Sequence, residues 1–354
     1  MEIHNVTSVP HGASYLVSLA TLYTIETINL VVLSGLVSIF GVISNLVNLS
    51  IFWRHGFRES INVGLTALAV SDLGTVISGA ILSVCFNPLI PYSEMGVNSR
   101  DVQYLVGAHP RFCFARITGL ITVYITLERC LCVAVPLHVK RILTPRRTFA
   151  VVVLIFTLIF LIETPIYMAH KLDWKFSYAL NRSEISLVSM SNAAELENLS
   201  FGLSVCVQFS SFGLLLILTS TLVLLLKKRS EWRLQTVSAG PSDKNNVSRR
   251  ERGAIRLTLM VSTILICFLF PSTLLIITSF LEPEFNFGRR YQNMYFSVWT
   301  IVSLGEVSNS SVNIFVYYKM NSRYRETFRG VFCTKSSSKE GNKTPVNVSH
   351  TEKL

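Results

Sequence analysis

The stretch INLVVLSGLVSIFGVISNLVNLSIF, residues 28–52, carries no charged side chain. A helix needs about 20 such residues to cross about 30 Å of hydrocarbon, so this segment is long enough to span a membrane. Six further apolar segments follow, approximately Ile61 to Phe86, Arg111 to Val135, Phe149 to Met168, Phe201 to Leu226, Ala254 to Leu281 and Tyr295 to Tyr318. Lipid cannot satisfy unpaired backbone groups, which makes each a helix and puts the two chain ends on opposite sides of the bilayer. Half of the 354 residues are apolar, and the mean hydropathy is +0.46. The expected fold is an all-α membrane protein, a seven-transmembrane helix bundle.

Orientation follows from the basic residues, which short cytoplasmic loops retain. Seven Lys and Arg fall on the side of the N-terminus and twenty-four on the other, with Arg116 inside a span. The N-terminus is therefore expected outside the cell, in the plasma membrane. The net charge of +11 is mostly a cytoplasmic collar beside anionic headgroups, which argues against nucleic acid as a partner and for membrane lipid. The first 27 residues lack a basic region and compact apolar core ahead of a cleavage site, so the first span is expected to act as an uncleaved anchor.

The chain divides into an extracellular tail (1–27), the seven-span region (28–320) and a cytoplasmic tail (321–354). Tyr324 to Phe332 is basic and aromatic, the composition of a short amphipathic eighth helix, and the polar Ser/Lys-rich remainder reads as disordered. Sequons at Asn5, Asn181 and Asn198 fall on the outer side and are candidate glycosylation points. Seven cysteines make no disulfide framework, because most lie in or at the ends of spans. Cys333, just past the last span, is a candidate for palmitoylation or an unmodified thiol.

Ionisable and amide side chains inside a bilayer cost a few kcal/mol each and therefore mark where helices face one another or a wet cavity. In the third span Arg111, Ala115, Thr118, Thr122 and Arg129 recur at helical steps along one stripe. In the seventh, Ser303, Glu306, Asn309, Ser310, Asn313 and Tyr317 do the same. Asn45 and Asp72 add buried polar groups in the first and second. Any one of these is ordinarily polar glue between helices, but four spans sharing the pattern call for a common interior.

In their order along the chain, Asn45, Leu68-Ala69-Val70-Ser71-Asp72, Glu128-Arg129-Cys130, Pro271 and Asn309-Ser310-Ser311-Val312-Asn313-Ile314-Phe315-Val316-Tyr317 resemble the rhodopsin-like (class A) G-protein-coupled receptors across essentially the whole chain. The resemblance implies that Arg129 switches between Glu128 and the tail of a heterotrimeric G protein, with Cys130 and Asn313 beside it. Tyr317 would swing inward to support the active state. Asp72 with Thr118, Asn309 and Ser310 looks like an allosteric sodium pocket, an oxygen-lined carboxylate site suited to a hard cation. No other cofactor is implied. Ser336 to Ser338, Thr344 and Thr351 would accept phosphate from a receptor kinase for arrestin docking.

The chain also departs from that family. Tyr104 stands 25 residues before Arg129, where relatives carry a disulfide cysteine, and the second outer loop holds no cysteine before Cys206. Both partners are missing together, so a looser outer loop is expected. Ile314 replaces the family proline of the seventh span, and the usual tryptophans of the fourth and sixth spans and proline of the fifth are absent. The seventh span has no lysine before Lys319, which excludes a retinal Schiff base. Arg111, where amine receptors place an aspartate, would repel an ammonium ligand. What remains looks like divergent invertebrate receptors for neuropeptides or for external chemical cues.

Arg111 lies about 27 Å along the helix from Arg129, in the outer half. It is a candidate anchor for a carboxylate or phosphate, with Ala115, Ser303 and Glu306 lining the same cavity. Glu306 is expected either to meet a cationic ligand or to neutralise Arg111, and Arg116 to pair structurally with Glu163. Two functions are carried forward. One is a signalling receptor that shifts a helix-bundle equilibrium on binding an extracellular ligand and is not itself an enzyme. The other is a transporter or channel subunit using Asp72, Arg111 and Glu306, against which stand the odd span number and the lack of repeat halves.

Overall fold

The computed structural model describes residues 16–135, 143–178, 180–236 and 244–332, with backbone alone for 229–236 and 244–252. Its long helices, in chain order, are α1 (Leu19–His55), α2 (Ser60–Cys85), α3 (Ser99–Ala134) and α4 (Pro145–Ala169). They continue as α5 (Ala193–Thr236), α6 (Lys244–Leu281) and α7 (Gln292–Met320), and the short α8 (Ser322–Phe332) ends the described chain. Asn5 and Cys333 lie outside the described residues, as do the Ser and Thr positions of the tail.

Two elements extend past their apolar stretches. The first rod begins at Leu19, capped by the Ser18 hydroxyl on the Thr21 amide, rather than near Ile28. Likewise α3 starts at Ser99, well ahead of Arg111, with Asn98 as its cap. Polar side chains sustain these extensions, among them the buried Glu26, which Arg100 reaches at 2.7 Å while lying over the Tyr23 and Phe86 rings. Each rod also contains a π-helical stretch, Thr27–Leu33 and Tyr104–Ala108. Both stretches pack on α2, and Leu30 and Ala108 share one apolar cluster with its Leu82. Gly56, at φ +73°, ends α1 in a conformation that only glycine adopts without strain.

Among the described residues six helices, α1 through α6, are long and apolar enough to cross a membrane. The seventh helix of the expected bundle is present and less apolar than the others. It has the length, 29 residues, but its inward residues Ser297, Thr300, Ser303, Glu306, Asn309, Ser310, Ser311 and Asn313 are polar and buried. Helices α1, α2 and α6 flank it, so few positions, such as Ile301 and Phe315, face outward. At Gly41 a Cβ would collide with Ser311 and Val76, which shows how closely α1, α2 and α7 approach. Without proline, α7 runs as one unbroken helix.

The expectation of a loose connection between α4 and α5 is also overturned. It is an antiparallel hairpin, β1 (His170–Ser177) and β2 (Arg182–Ser189), in full register from His170 opposite Ser189 to Ser177 opposite Arg182. The Ile185 amide bonds Gly96 O at 2.8 Å and Asn98 bonds back to Ile185 O at 2.9 Å, while Asp101 accepts the Leu187 amide at 3.0 Å. These contacts pair the Ile185 and Leu187 amides of the sheet edge and fix the hairpin across one end of the bundle. The opposite end carries α8 and most of the basic residues.

Candidate functional site

The polar stripes of α3 and α7 both face inward, and the protein assembles them into three layers. Nearest the hairpin, Arg111 of α3 is fully buried and ion-paired with Glu306 of α7. Its guanidinium carbon lies 4.8 Å from the Phe112 ring and 5.6 Å from Trp299, a cation–π cradle. Arg111 Nε and Nη2 have no hydrogen-bond partner among the described residues, and neither does the buried Ser303 hydroxyl one turn from Glu306. A buried donor left unmatched costs about 1–3 kcal/mol, more when charged, so the two free guanidinium nitrogens suit an acceptor-rich ligand. Of the expected lining residues Ala115 is only half-buried, whereas Phe112 and Trp299 were not singled out because an aromatic in a span reads as ordinary core.

Arg116 points elsewhere, as its helical angle predicts. It lies 3.6 Å from Glu163 of α4, which also accepts the Ser204 hydroxyl of α5 at 2.7 Å. This pair ties α3, α4 and α5 together behind the Arg111 layer.

In the middle layer Asp72 is fully buried. Its oxygens accept Thr118 at 3.0 Å and Asn313 at 2.7 Å, and Ser71 meets the same Thr118 hydroxyl at 2.8 Å. Asn313, which the resemblance puts in the switch, donates to the Asp72 carboxylate. Asn309 is buried nearby but makes no hydrogen bond to Asp72 among the described residues. Asn313 falls one turn deeper along α7 than Asn309 and is the amide that reaches Asp72.

At the basic end, Glu128 and Arg129 are only loosely joined, Arg129 Nη2 lying 3.7 Å from Glu128 Oε2. The other carboxylate oxygen accepts Thr148 of α4 at 3.0 Å, and Thr148 also meets Tyr124 at 2.9 Å. One turn away, Thr126 and Ser262 join α3 to α6 through their hydroxyls at 2.8 Å. Cys130 turns from this layer to the Leu218 carbonyl of α5, 3.4 Å away.

Tyr317 is fully buried with an unpartnered hydroxyl among the described residues. Its ring packs on Phe52 at 5.2 Å and on Tyr324 of α8 at 5.7 Å. Tyr324 starts a polar ladder that sequence reading missed: its hydroxyl donates to Asn48 at 2.6 Å, Asn48 to Asn45 at 3.2 Å, and Asn45 to the Ser310 carbonyl at 2.8 Å. Burial raises the Tyr324 phenol above its ordinary range, so it remains a proton donor. Beside it opens a cavity of about 940 Å³ lined by Asn62, Leu65, Arg256, Leu257, Lys319 and Arg323 among others.

Of the sequons, Asn181 sits exposed at the hairpin tip with φ +49°. Asn198 lies in α5, and its Ser200 hydroxyl is buried against the Ile162 carbonyl at 2.9 Å.

Residues 32–335 match the family described as serpentine type 7TM GPCR chemoreceptor Srw. No curated protein matches the chain.

Proposed function

The chain belongs to the Srw family of serpentine seven-helix G-protein-coupled chemoreceptors, and from that premise we propose that it is a cell-surface receptor for a small acidic chemical cue. The hairpin end faces the outside of the plasma membrane, with the chain's N-terminus, and the basic end faces the cytoplasm. The ligand's carboxylate or phosphate takes up the unmatched donors of Arg111 and Ser303 and loosens Glu306 from its partner. A chemical cue is preferred here to a neuropeptide because the anchor is a buried cation in an aromatic cradle, fitted to a compact anion.

The observation that carries this reading is the buried Arg111–Glu306 pair, whose guanidinium keeps two nitrogens without a hydrogen-bond partner among the described residues. Glu306 shares α7 with Asn313 and Tyr317, so a ligand that binds better when Glu306 has moved would bias the middle and basic layers together. Arg129, weakly held by Glu128, then turns into the basic-end cavity, which receives the tail of a heterotrimeric G protein. Sodium on Asp72, with Thr118, Ser310 and Asn313, would favour the resting arrangement. Phosphorylation of the tail by a receptor kinase and arrestin docking complete the cycle. The chain catalyses no reaction; nucleotide exchange takes place on its partner.

The test is nucleotide exchange on a G protein in membranes carrying the full chain, challenged with a panel of small carboxylates and phosphates. A response is expected that Arg129→Ala abolishes and that Arg111→Gln removes when the two are compared at matched surface expression. Equal potency in wild type and Arg111→Gln would overturn the acidic-ligand reading; ion flux that survives Arg129→Ala without G protein would favour transport.

A further inference from the structure

At the hairpin end, Tyr104 of α3 donates its hydroxyl to Glu197 of α5 at 3.1 Å. The same Glu197 oxygen lies 2.6 Å from His170 Nε2, at the base of the hairpin. The other nitrogen of His170 meets the Ser189 hydroxyl, directly across the hairpin, at 3.0 Å. One carboxylate thus joins α3, α5 and both strands, at the position where no disulfide is found among the described residues. Tyr104 also packs its ring edge-on against His109 and His170, with centroids 4.5 and 5.7 Å apart.

We propose that the Tyr104–Glu197–His170 clamp is the staple that holds the hairpin over the bundle, and that its strength rises when His170 takes up a proton. The geometry is prepared for either form of the ring. Neutral, His170 donates from Nε2 to the ionised Glu197 while Nδ1 accepts from Ser189; protonated, both nitrogens donate, and Ser189 needs only to rotate its hydroxyl. No polar atom is orphaned by the change, and a hydrogen bond from a neutral ring to the carboxylate becomes one between opposite charges, which adds the attraction of an ion pair. His170 is almost entirely buried while Glu197 is partly exposed, so protons reach the pair from solvent. The ionisable groups around it are Glu197 from α5, Tyr104 and His109 from α3, and Glu163 from α4, 3.5 Å from His109 and balanced by Arg116. The neighbouring Lys171 is occupied by Asp173 at 2.6 Å.

Such a staple differs from a covalent one in two measurable ways: reductant does not touch it, and protonation of His170 tightens it. Amide hydrogen exchange of residues 170–189 reads both, in the full chain in lipid nanodiscs, with each rate divided by that of an unprotected chain at the same pH. Protection is expected to rise about fivefold from pH 7.5 to 5.5, as one partly exposed charge pair would give, and to be unchanged by a phosphine reductant. His170→Gln, which keeps a donor to Glu197, should abolish the rise; Glu197→Gln should lower protection at both pH values; His109→Gln should leave the rise in place. No rise in the wild type, a rise that persists in His170→Gln, or a loss on reduction overturns the proposal. If Glu197→Gln does not fold, Tyr104→Phe must still lower protection with the rise retained, and unchanged protection there overturns the clamp.

Discussion

The Tyr324 hydroxyl of α8 stands 2.6 Å from Asn48 Oδ1 in α1, across 276 residues of sequence. The short amphipathic helix is therefore not merely laid on the membrane surface. Its one fully buried side chain is plugged into the bundle, and through Asn48 and Asn45 it reaches the backbone of α7 at Ser310.

Tyr324→Phe should retain the ring contacts with Phe52 and Tyr317 and lose only the hydroxyl. A buried Asn48 oxygen is then left without its donor, a cost of about 1–3 kcal/mol. Thermal unfolding in detergent should show a fall of a few degrees in Tm. No change would mean that Asn48 finds another donor.

For the pair in the hairpin-end layer, each single neutralisation leaves an uncompensated buried charge. Arg111→Gln and Glu306→Gln should each destabilise by about 3–5 kcal/mol, while the double variant loses much less than the sum. A double-mutant cycle on Tm or on denaturant unfolding measures the difference. Additive losses would show that the two groups do not compensate one another.

Sodium at Asp72 predicts an ion-specific effect. At equal ionic strength the full chain should have a higher Tm in sodium chloride than in potassium chloride, and Asp72→Asn should erase the difference. Binding to the folded state alone stabilises by an amount set by ligand concentration over Kd, so the effect should grow with sodium. A Tm indifferent to the cation in wild type counts against the site.

Among the described sequons, one glycan is expected and not two. Asn181 is exposed at a turn, whereas Asn198 is helical and its Ser200 is buried against α4. In cell membranes Asn181→Gln should remove one step of glycosidase-sensitive mobility on a gel, and Asn198→Gln none. A shift on Asn198→Gln would require modification before α5 folds.

The rods and their inward faces were legible because periodicity and hydropathy are local properties. Arg111 and Glu306 could be paired in advance, since each lay on a polar stripe at similar depth and lipid tolerates neither alone. Arg116 could be given to Glu163 by helical angle. What could not be read were contacts whose partners are brought together only by the whole fold. The hairpin strands carry no strong alternation of their own, and their register depends on Gly96, Asn98 and Asp101. The family resemblance places Asn313 in the switch, while its hydrogen bond to Asp72 depends on how α2 and α7 are set against each other. Tyr324 looked like one more aromatic of an interfacial helix, and only the return of the chain to α1 gives its hydroxyl a purpose.

The polar seam of α7 bears on how the protein is made. A rod whose inner side is lined with hydroxyls, amides and a carboxylate gains little by entering lipid alone, and six earlier rods leave the ribosome before it. Its partition must wait until α1, α2 and α6 are on hand to accept those groups. Biogenesis therefore ends with a folding event rather than a simple insertion, and damage to α1 would strand the last rod in the aqueous channel.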